Sequence, residues 1–405
     1  ILLSRQSSAL QRILLSQYSF YCTDDLACRA QLRSAGCRRA TRGAVSLCHT
    51  WHTWHHVAVQ VVYSAAHLRH DPQVEFETSS AHSPFEHVGR AETIRETLAA
   101  DSAFSIRPPD EWGTGPIEAV HDPGLVRFLS SAWHEYQVAA GAHREVIPDA
   151  FYRPALRNKM SAGHEPANVQ GRLGWWCFET TTPLTEGTFE AARSAVDTAL
   201  TATSIVLGGE RSAYGLCRPP GHHATTSLYG GYCFFNNAAV AAHHIVSTTG
   251  TKVAILDVDY HHGNGTQEIF YDREDVLYVS LHGDPERAYP YFTGFADEEG
   301  TGRGRGANLN LAMPEHADDD RFLAGLATAC DAIARSGAST LIVSLGLDTF
   351  HTDPISDLAV TTDGFERCGA LVRQLGLPTV VLQEGGYDVS ALGENVRRWL
   401  VGLGV

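Results

Sequence analysis

The chain has 405 residues, of which 43% are hydrophobic, and a formal net charge of −15 at neutral pH. This length and composition suit a globular protein of one large domain or two smaller ones. The acidic balance argues against a nucleic-acid-binding surface, and no run approaches the roughly 18 consecutive apolar residues of a membrane-spanning helix.

Residues 1–56 carry seven arginines against Asp24 and Asp25, and contain no lysine or glutamate. An Arg- and Ser-rich, acid-poor leader has the composition of an organellar transit segment; the alternative is upstream sequence without a role. The expected location is organellar in the first case and cytoplasmic in the second. Cys22, Cys28, Cys37 and Cys48 lie in this leader at spacings that match no zinc-binding pair. Cys177, Cys217, Cys233, Cys330 and Cys368 sit in apolar contexts and read as reduced, buried thiols. A single catalytic domain is expected over 57–405.

From Val57 to Tyr63 apolar residues alternate as in a first strand. A polar segment, His70 to Glu86, leads into a helix predicted from Ala91 to Ala100. Residues 150–175 are rich in Arg, Asn, Gly and Pro and read as a long surface loop, a candidate substrate or partner surface. A regular alternation follows: helix Thr188–Val206, strand Ala213–Cys217, helix Asn237–Val246, and strands Val253–Val258 and Val276–Leu281. Helix Arg321–Ala334 then precedes strand Thr340–Leu345, and helix Phe365–Gln374 precedes strand Thr379–Leu382. Helices and strands alternating at this spacing predict an α/β fold with a parallel sheet covered on both faces.

Four polar clusters follow four of these strands: Arg218-Pro-Pro-Gly-His222-His223, Asp257-Val-Asp259-Tyr-His261, Gly346-Leu-Asp348 and Glu384-Gly-Gly-Tyr387. Ligands bind outside the carboxyl ends of strands in open parallel sheets, so the four are expected to meet. Unpaired buried charges are costly, and a divalent metal is the simplest partner for Asp259, His261 and Asp348. Three protein ligands leave an open coordination position, as catalytic zinc needs; the oxygen-rich set also suits Fe(II), Co or Mn. Hydrolysis at such a metal needs a base. The pair His222-His223 is placed to supply it and to return the proton to a leaving amine. Asp257 and Asn264 are the available partners for the far ring nitrogens. A carboxylate raises histidine basicity more than an amide does, so the two histidines should differ in pKa. Tyr387, behind Gly385-Gly386, can donate its hydroxyl to a tetrahedral oxyanion.

Taken singly, these residues have plainer explanations. Asp348 alone reads as a strand-end cap, and Tyr387 as a half-buried aromatic. His243-His244 has no acidic neighbour and reads as surface or packing, while His282 reads as a structural hydrogen-bonding group. Gly230-Gly231 marks a close backbone approach, here to a substrate. Four clusters in register outweigh these separate explanations.

Together, Arg218–Ala224, Gly230–Asn237, Asp257–Gln267, Ser344–Phe350 and Glu384–Tyr387 resemble the motifs of the histone deacetylase superfamily, over 57–405. The resemblance implies the three-layer α/β/α arginase/deacetylase fold, with a mostly parallel central sheet of about eight strands, and a zinc-dependent amidohydrolase. It implies Asp259, His261 and Asp348 as zinc ligands, His222 and His223 as catalytic residues paired with Asp257 and Asn264, and Tyr387 as the catalytic tyrosine. Gly231 matches the backbone acceptor for the substrate amide, and Tyr232 and Tyr289 match the aromatic tunnel walls. Asp257, Asp259, His261, Ser280 and Leu281 match a structural potassium site.

Three stretches, Phe76–Glu86, Gln170–Cys177 and His282–Pro290, are most similar to bacterial acetylpolyamine amidohydrolases. In that subfamily the first two form a rim that supports a homodimer and narrows the channel, which implies a small cationic acetylated amine as substrate. Its acidic rim positions correspond here to Gln170 and Thr181, with Glu179 close by as a substitute, and a gatekeeper position acidic in a eukaryotic polyamine deacetylase corresponds to Ile355. These departures keep acetyl-lysine substrates open as the alternative. An inactive acyl-ligand-binding member is less supported, because every catalytic position is filled. A dimanganese ureohydrolase would need further bridging carboxylates and would use His222-His223 poorly.

Overall fold

The computed structural model describes residues 58–77, 80–157, 160 and 163–404; the leader and its cysteines lie outside the described residues. In chain order the strands are β1 (Val59–Tyr63), β2 (Glu75–Glu77), β3 (Ser80–His82), β4 (Phe104–Arg107), β5 (Ser212–Leu216), β6 (Val253–Asp257), β7 (Val276–Gly283), β8 (Asn308–Met313), β9 (Thr340–Leu345) and β10 (Thr379–Gln383). The helices are α1 (Val88–Ala99), α2 (Gly115–Glu118), α3 (Pro123–Ala140), α4 (Val169–Trp176), α5 (Thr188–Leu207), α6 (Asn237–Thr249), α7 (Asn264–Phe270), α8 (Asp319–Ser336), α9 (Thr362–Arg373) and α10 (Val389–Leu403). Eight strands form one sheet in the order β4-β1-β5-β10-β9-β6-β7-β8. Every pairing in it is parallel. The expected mostly parallel sheet is thus wholly parallel, and the only antiparallel pair of strands among the described residues, β2 with β3, stands apart from it.

The central strands are buried along their whole length because helices cover both faces, which is why they read as continuous apolar runs. Alternate side chains enter opposite cores. On one face Leu341, Val343 and Leu345 of β9 join Leu256 and Val381 against Phe322, Leu326, Val372 and Trp399 of α8, α9 and α10. On the other, Ile342, Val253, Ile255 and Val380 pack against Ala199 and Ala202 of α5 and Ala242 and Ile245 of α6. Each such Leu, Ile or Val removed from water contributes about 1.5–3 kcal/mol. Three threonines buried on α5 return their hydroxyls to its own backbone: Thr198, Thr201 and Thr203 each donate to the carbonyl four residues back at 2.8 Å.

A third core joins α3 and α4 to Tyr229, Phe234 and Phe235 beside the sheet. Here the structure corrects the expected loop over 150–175. Its Asn and Gly are partly cap residues, since Asn168 Oδ1 accepts from Gly171 N at 2.7 Å and starts α4, whose Leu173 and Trp176 are buried. The cysteines from Cys177 to Cys368 are free and buried, as expected. No helix of the described residues is long and apolar enough to cross a membrane.

The consequence for function lies in the strand order. The four strands that end in the polar clusters, β5, β10, β9 and β6, are consecutive neighbours in the sheet. Their register is level at the carboxyl ends, with Asp257 opposite Ser344 and Leu345 opposite Gln383. Clusters about 170 residues apart in the chain therefore emerge at one edge.

Candidate active site

Beyond those strand ends, Asp257, Asp259, Asp348 and Glu384 are all 0% exposed. Four buried carboxyl groups in one place demand partners. Asp257 Oδ2 accepts from His222 Nδ1 at 3.1 Å and from the Tyr278 hydroxyl at 2.9 Å. Glu384 is a backbone clamp: its Oε2 accepts from Gly221 N at 2.6 Å and His222 N at 3.2 Å, and its Oε1 from the Ser344 hydroxyl at 3.2 Å. Burial pushes the Glu384 carboxyl up to about 7.

Asp259, His261 and Asp348 offer ligand atoms that all lie within 4.8 Å of one another. His261 Nδ1 is 3.0 Å from Asp348 Oδ2 and 3.3 Å from Asp259 Oδ1. The remaining acceptor sites are used to hold the set rigid: Asp259 Oδ2 accepts from Gly385 N and Asp348 Oδ1 from Tyr260 N, each at 2.8 Å. A Cβ on Gly385 would stand 2.6 Å from both carboxylates, so glycine is what allows its backbone so close. Among the described residues, the cationic groups paired with these carboxylates are the imidazoles of His261 and His222 rather than lysine or arginine. Two buried carboxylates and one imidazole with an edge on the cavity fit a divalent metal. Without an ion, burial and the charge of Asp259 push the Asp348 carboxyl up to about 7. Burial disfavours the imidazolium of His261, but bonds to Asp259 and Asp348 outweigh it and raise its pKa to about 9.

The tandem histidines are divided by their partners. Burial disfavours a charge on His222, yet the carboxylates of Asp259 and Asp257 prevail and push its pKa up to about 10. Burial, then the charges of His222 and His261, hold His223 well below the usual histidine range. His223 Nδ1 lies 2.7 Å from Asn264 Oδ1, which puts its proton on Nδ1 and a lone pair on Nε2. The predicted difference in pKa is present, and its sign makes His222 the cation and His223 the neutral ring.

Tyr387 N donates to Asp353 Oδ2 at 2.7 Å, and the Arg90 guanidinium lies 4.6 Å from the centre of the Tyr387 ring. Burial raises the phenol pKa and Arg90 opposes this. Sequence reasoning missed Arg90. It donates to the carbonyls of Gly386 at 2.6 Å and Glu384 at 2.7 Å and to Glu86 Oε1 at 2.9 Å, which also accepts from Arg218 Nε at 2.8 Å. This buried triad braces the Tyr387 loop against the segment that carries His222 and His223. Glu86 and Arg90 are an i,i+4 pair, but their partners Arg218, Glu384 and Gly386 lie far along the chain, so the local sequence does not announce the triad.

A cavity of about 560 Å³ opens over the site, lined by His223, Gly231, Tyr232, His261, Tyr289, Tyr387 and Glu179. The Tyr289 ring stands edge-on to His223 at 5.0 Å and to His261 at 6.0 Å, and Tyr232 lies 5.9 Å from Tyr387. Thr181 and Ile355 line the cavity too, whereas Gln170 is an exposed residue of α4. Glu179 is held inwards: Oε1 accepts from Gly231 N at 2.9 Å and from the Thr182 hydroxyl, and Oε2 from the Thr181 amide and, at 2.6 Å, its hydroxyl. Its charge faces the cavity, but its lone pairs are taken. Ser280 and Leu281 are buried on β7, with Ser280 opposite Asp257. His282 makes structural bonds to the Ser280 hydroxyl at 2.8 Å and Gly294 O at 2.9 Å. His243 lies against Arg273, and His244 against Trp112, both away from the cluster on α6.

The histone deacetylase domain family matches residues 84–403. The chain is 43% identical over 342 residues to acetylpolyamine amidohydrolase 2 of Pseudomonas aeruginosa, an overlap of 84% of this chain and 98% of that one. It is 39% identical to the acetylpolyamine amidohydrolase of Mycoplana ramosa, over 85% of this chain and 99% of that one. The crystal structure of acetylpolyamine aminohydrolase from Burkholderia pseudomallei superposes with a TM-score of 0.80 at 38% identity, covering 86% of this chain and 99% of that chain. The eight-stranded parallel sheet, the buried Asp-His-Asp cluster and these matches agree, and the chain belongs to the histone deacetylase family.

Proposed function

We propose that the domain over 57–405 is a zinc-dependent deacetylase of small cationic acetylated amines. The observation that carries this reading is the convergence of a three-ligand cluster, a neutral histidine and a tyrosine at the end of one aromatic-walled cavity. Likeness to acetylpolyamine amidohydrolases supports the substrate class.

Asp259, His261 and Asp348 would hold the metal, which would supply Lewis acidity for an acetyl carbonyl and an attacking water; zinc suits the set, and iron(II) or cobalt(II) fits the same donors. His223, neutral with its lone pair on Nε2, takes the proton of the attacking water and returns it to the leaving amine. His222, held as a cation by the carboxylates of Asp259 and Asp257, stabilises negative charge developing beside it. Tyr387 donates its phenol to the same developing oxyanion, kept in place by Arg90 and Asp353. Tyr232 and Tyr289 flank the extended chain of the substrate, and the Gly231 backbone carbonyl accepts from its amide N–H. Glu179 anchors the Gly231 turn and adds negative potential. The Asp257, Asp259, His261, Ser280 and Leu281 region suits a structural potassium ion.

The test is acetate release from an acetylated diamine by the full chain. Activity should vanish on chelation and return with one equivalent of zinc; activity untouched by chelation with metal removed would overturn the reading.

A further inference from the structure

A linear substrate whose amide lies beside His223 must be recognised at its far end as well. Among the described residues, the cavity lining carries two formally charged groups besides the histidines, Glu179 and Arg287. The oxygens of Glu179 are occupied by Gly231, Thr181 and Thr182, and Arg287 is paired with Asp357 at 3.0 Å and Glu315 at 3.4 Å. Among the described residues, no carboxylate of the lining therefore keeps an open lone pair for an incoming ammonium. What the mouth offers is aromatic: Phe76 and Tyr291 line the cavity and are 44% and 51% exposed. Tyr291 is two ring-to-ring steps from the reacting end, 5.0 Å from His223 to Tyr289 and 6.3 Å from Tyr289 to Tyr291.

The backbone of Tyr291 sharpens the point. Its φ of 67° is left-handed, a conformation that is strained for a bulky side chain and free of cost for glycine. A half-exposed tyrosine gains little by packing, so the fold alone does not account for a ring held at such a position.

We propose that Tyr291 is a specificity-determining residue that receives the distal ammonium of the substrate over its ring, with Phe76 at the same mouth. The proposal rests on the acetylated-amine reading above. A cation held by a ring needs no hydrogen-bond acceptor and tolerates methylation of the nitrogen, unlike a cation held by a carboxylate.

The experiment is steady-state kinetics of the zinc-loaded full chain on N-acetylputrescine, its trimethylammonium analogue and an uncharged N-alkylacetamide of equal length. The wild type is expected to prefer both cations over the neutral amide. Y291G should erase most of that preference, about tenfold in KM, without loss of thermal stability because the strained residue is gone. Y291F, which keeps the ring, should behave as the wild type. A merely packing tyrosine would instead lower stability and weaken all three substrates alike. Y291N, also suited to a left-handed backbone, serves as the second variant should Y291G not fold. An unchanged cation preference in these variants, or rejection of the trimethylammonium analogue by the wild type, overturns the proposal alone. Turnover of an acetyl-lysine peptide with none of N-acetylputrescine overturns it together with the substrate reading.

Discussion

His222 Nδ1 lies 3.1 Å from Asp257 Oδ2, with both residues withdrawn from solvent. The adjacent His223 makes the corresponding bond to the neutral amide of Asn264 at 2.7 Å. The carboxylates of Asp259 and Asp257 hold His222 as a cation, while burial and the charges of His222 and His261 keep the neighbouring His223 neutral.

This separation predicts unequal mutants. H223A removes the proton acceptor and should lower kcat by about 10²–10⁴-fold with metal retained. D257N should leave His223 in place but shift the charge on His222, giving a smaller loss and an altered pH profile of kcat. Steady-state rates with metal analysis check both; equal losses in the two variants would remove the distinction.

Tyr387 is assigned to the oxyanion, so Y387F should lower kcat about 10²–10³-fold, with KM little changed and full metal content. An unaltered rate would contradict the role given to its hydroxyl.

Metal binding should be coupled to protons. Without an ion the pKa of His261 is raised to about 9 and that of Asp348 to about 7, so His261 holds a proton at neutral pH and Asp348 shares one partially, and a metal must displace both. Affinity should rise with pH between roughly 6 and 9, and calorimetry in buffers of different ionisation enthalpy should detect proton release. D348N should lose the metal.

Away from the site, His121 is neutral and buried. Its Nε2 accepts from Asn236 N at 2.9 Å, which leaves Nδ1–H to donate to Thr225 O at 2.9 Å. Burial lowers its pKa to about 4 from 6.5, so the unfolded chain takes up this proton first. The stability it contributes, about 3 kcal/mol, is complete above pH 6.5 and is lost as pH falls towards 4. His70, lowered to about 3 by burial, acts with the same sign. Because Glu384 and Asp348, raised to about 7, act with the opposite sign in the same window, the reading is the difference in urea midpoint between the wild type and H121Q, which should shrink as pH falls; a difference that stays constant would refute the assignment.

The parts of the fold legible in the chain were those where one physical signal dominates. β6, β9 and β10 are buried on both faces and stand out as apolar runs ended by ligand-type residues. β8 is an edge strand that buries Asn308 and Asn310, so its hydropathy hides it. The helix α3 went unread although Asp122, which accepts from Gly124 N at 2.6 Å, and Pro123 mark its start. Within the site, the tandem histidines, Asp259, His261, Asp348 and Tyr387 announced themselves through spacing after strands. Arg90, Glu86 and Tyr291 did not: the first two gain meaning only from a partner far along the chain, and the third from a backbone angle.

The central claim, hydrolysis of small acetylated amines at the Asp259, His261 and Asp348 cluster, meets its most direct test in a comparison of kcat/KM. Zinc-loaded protein is assayed on N-acetylputrescine and on an acetyl-lysine peptide. The account predicts a clear preference for the diamine; a large preference for the peptide would contradict it.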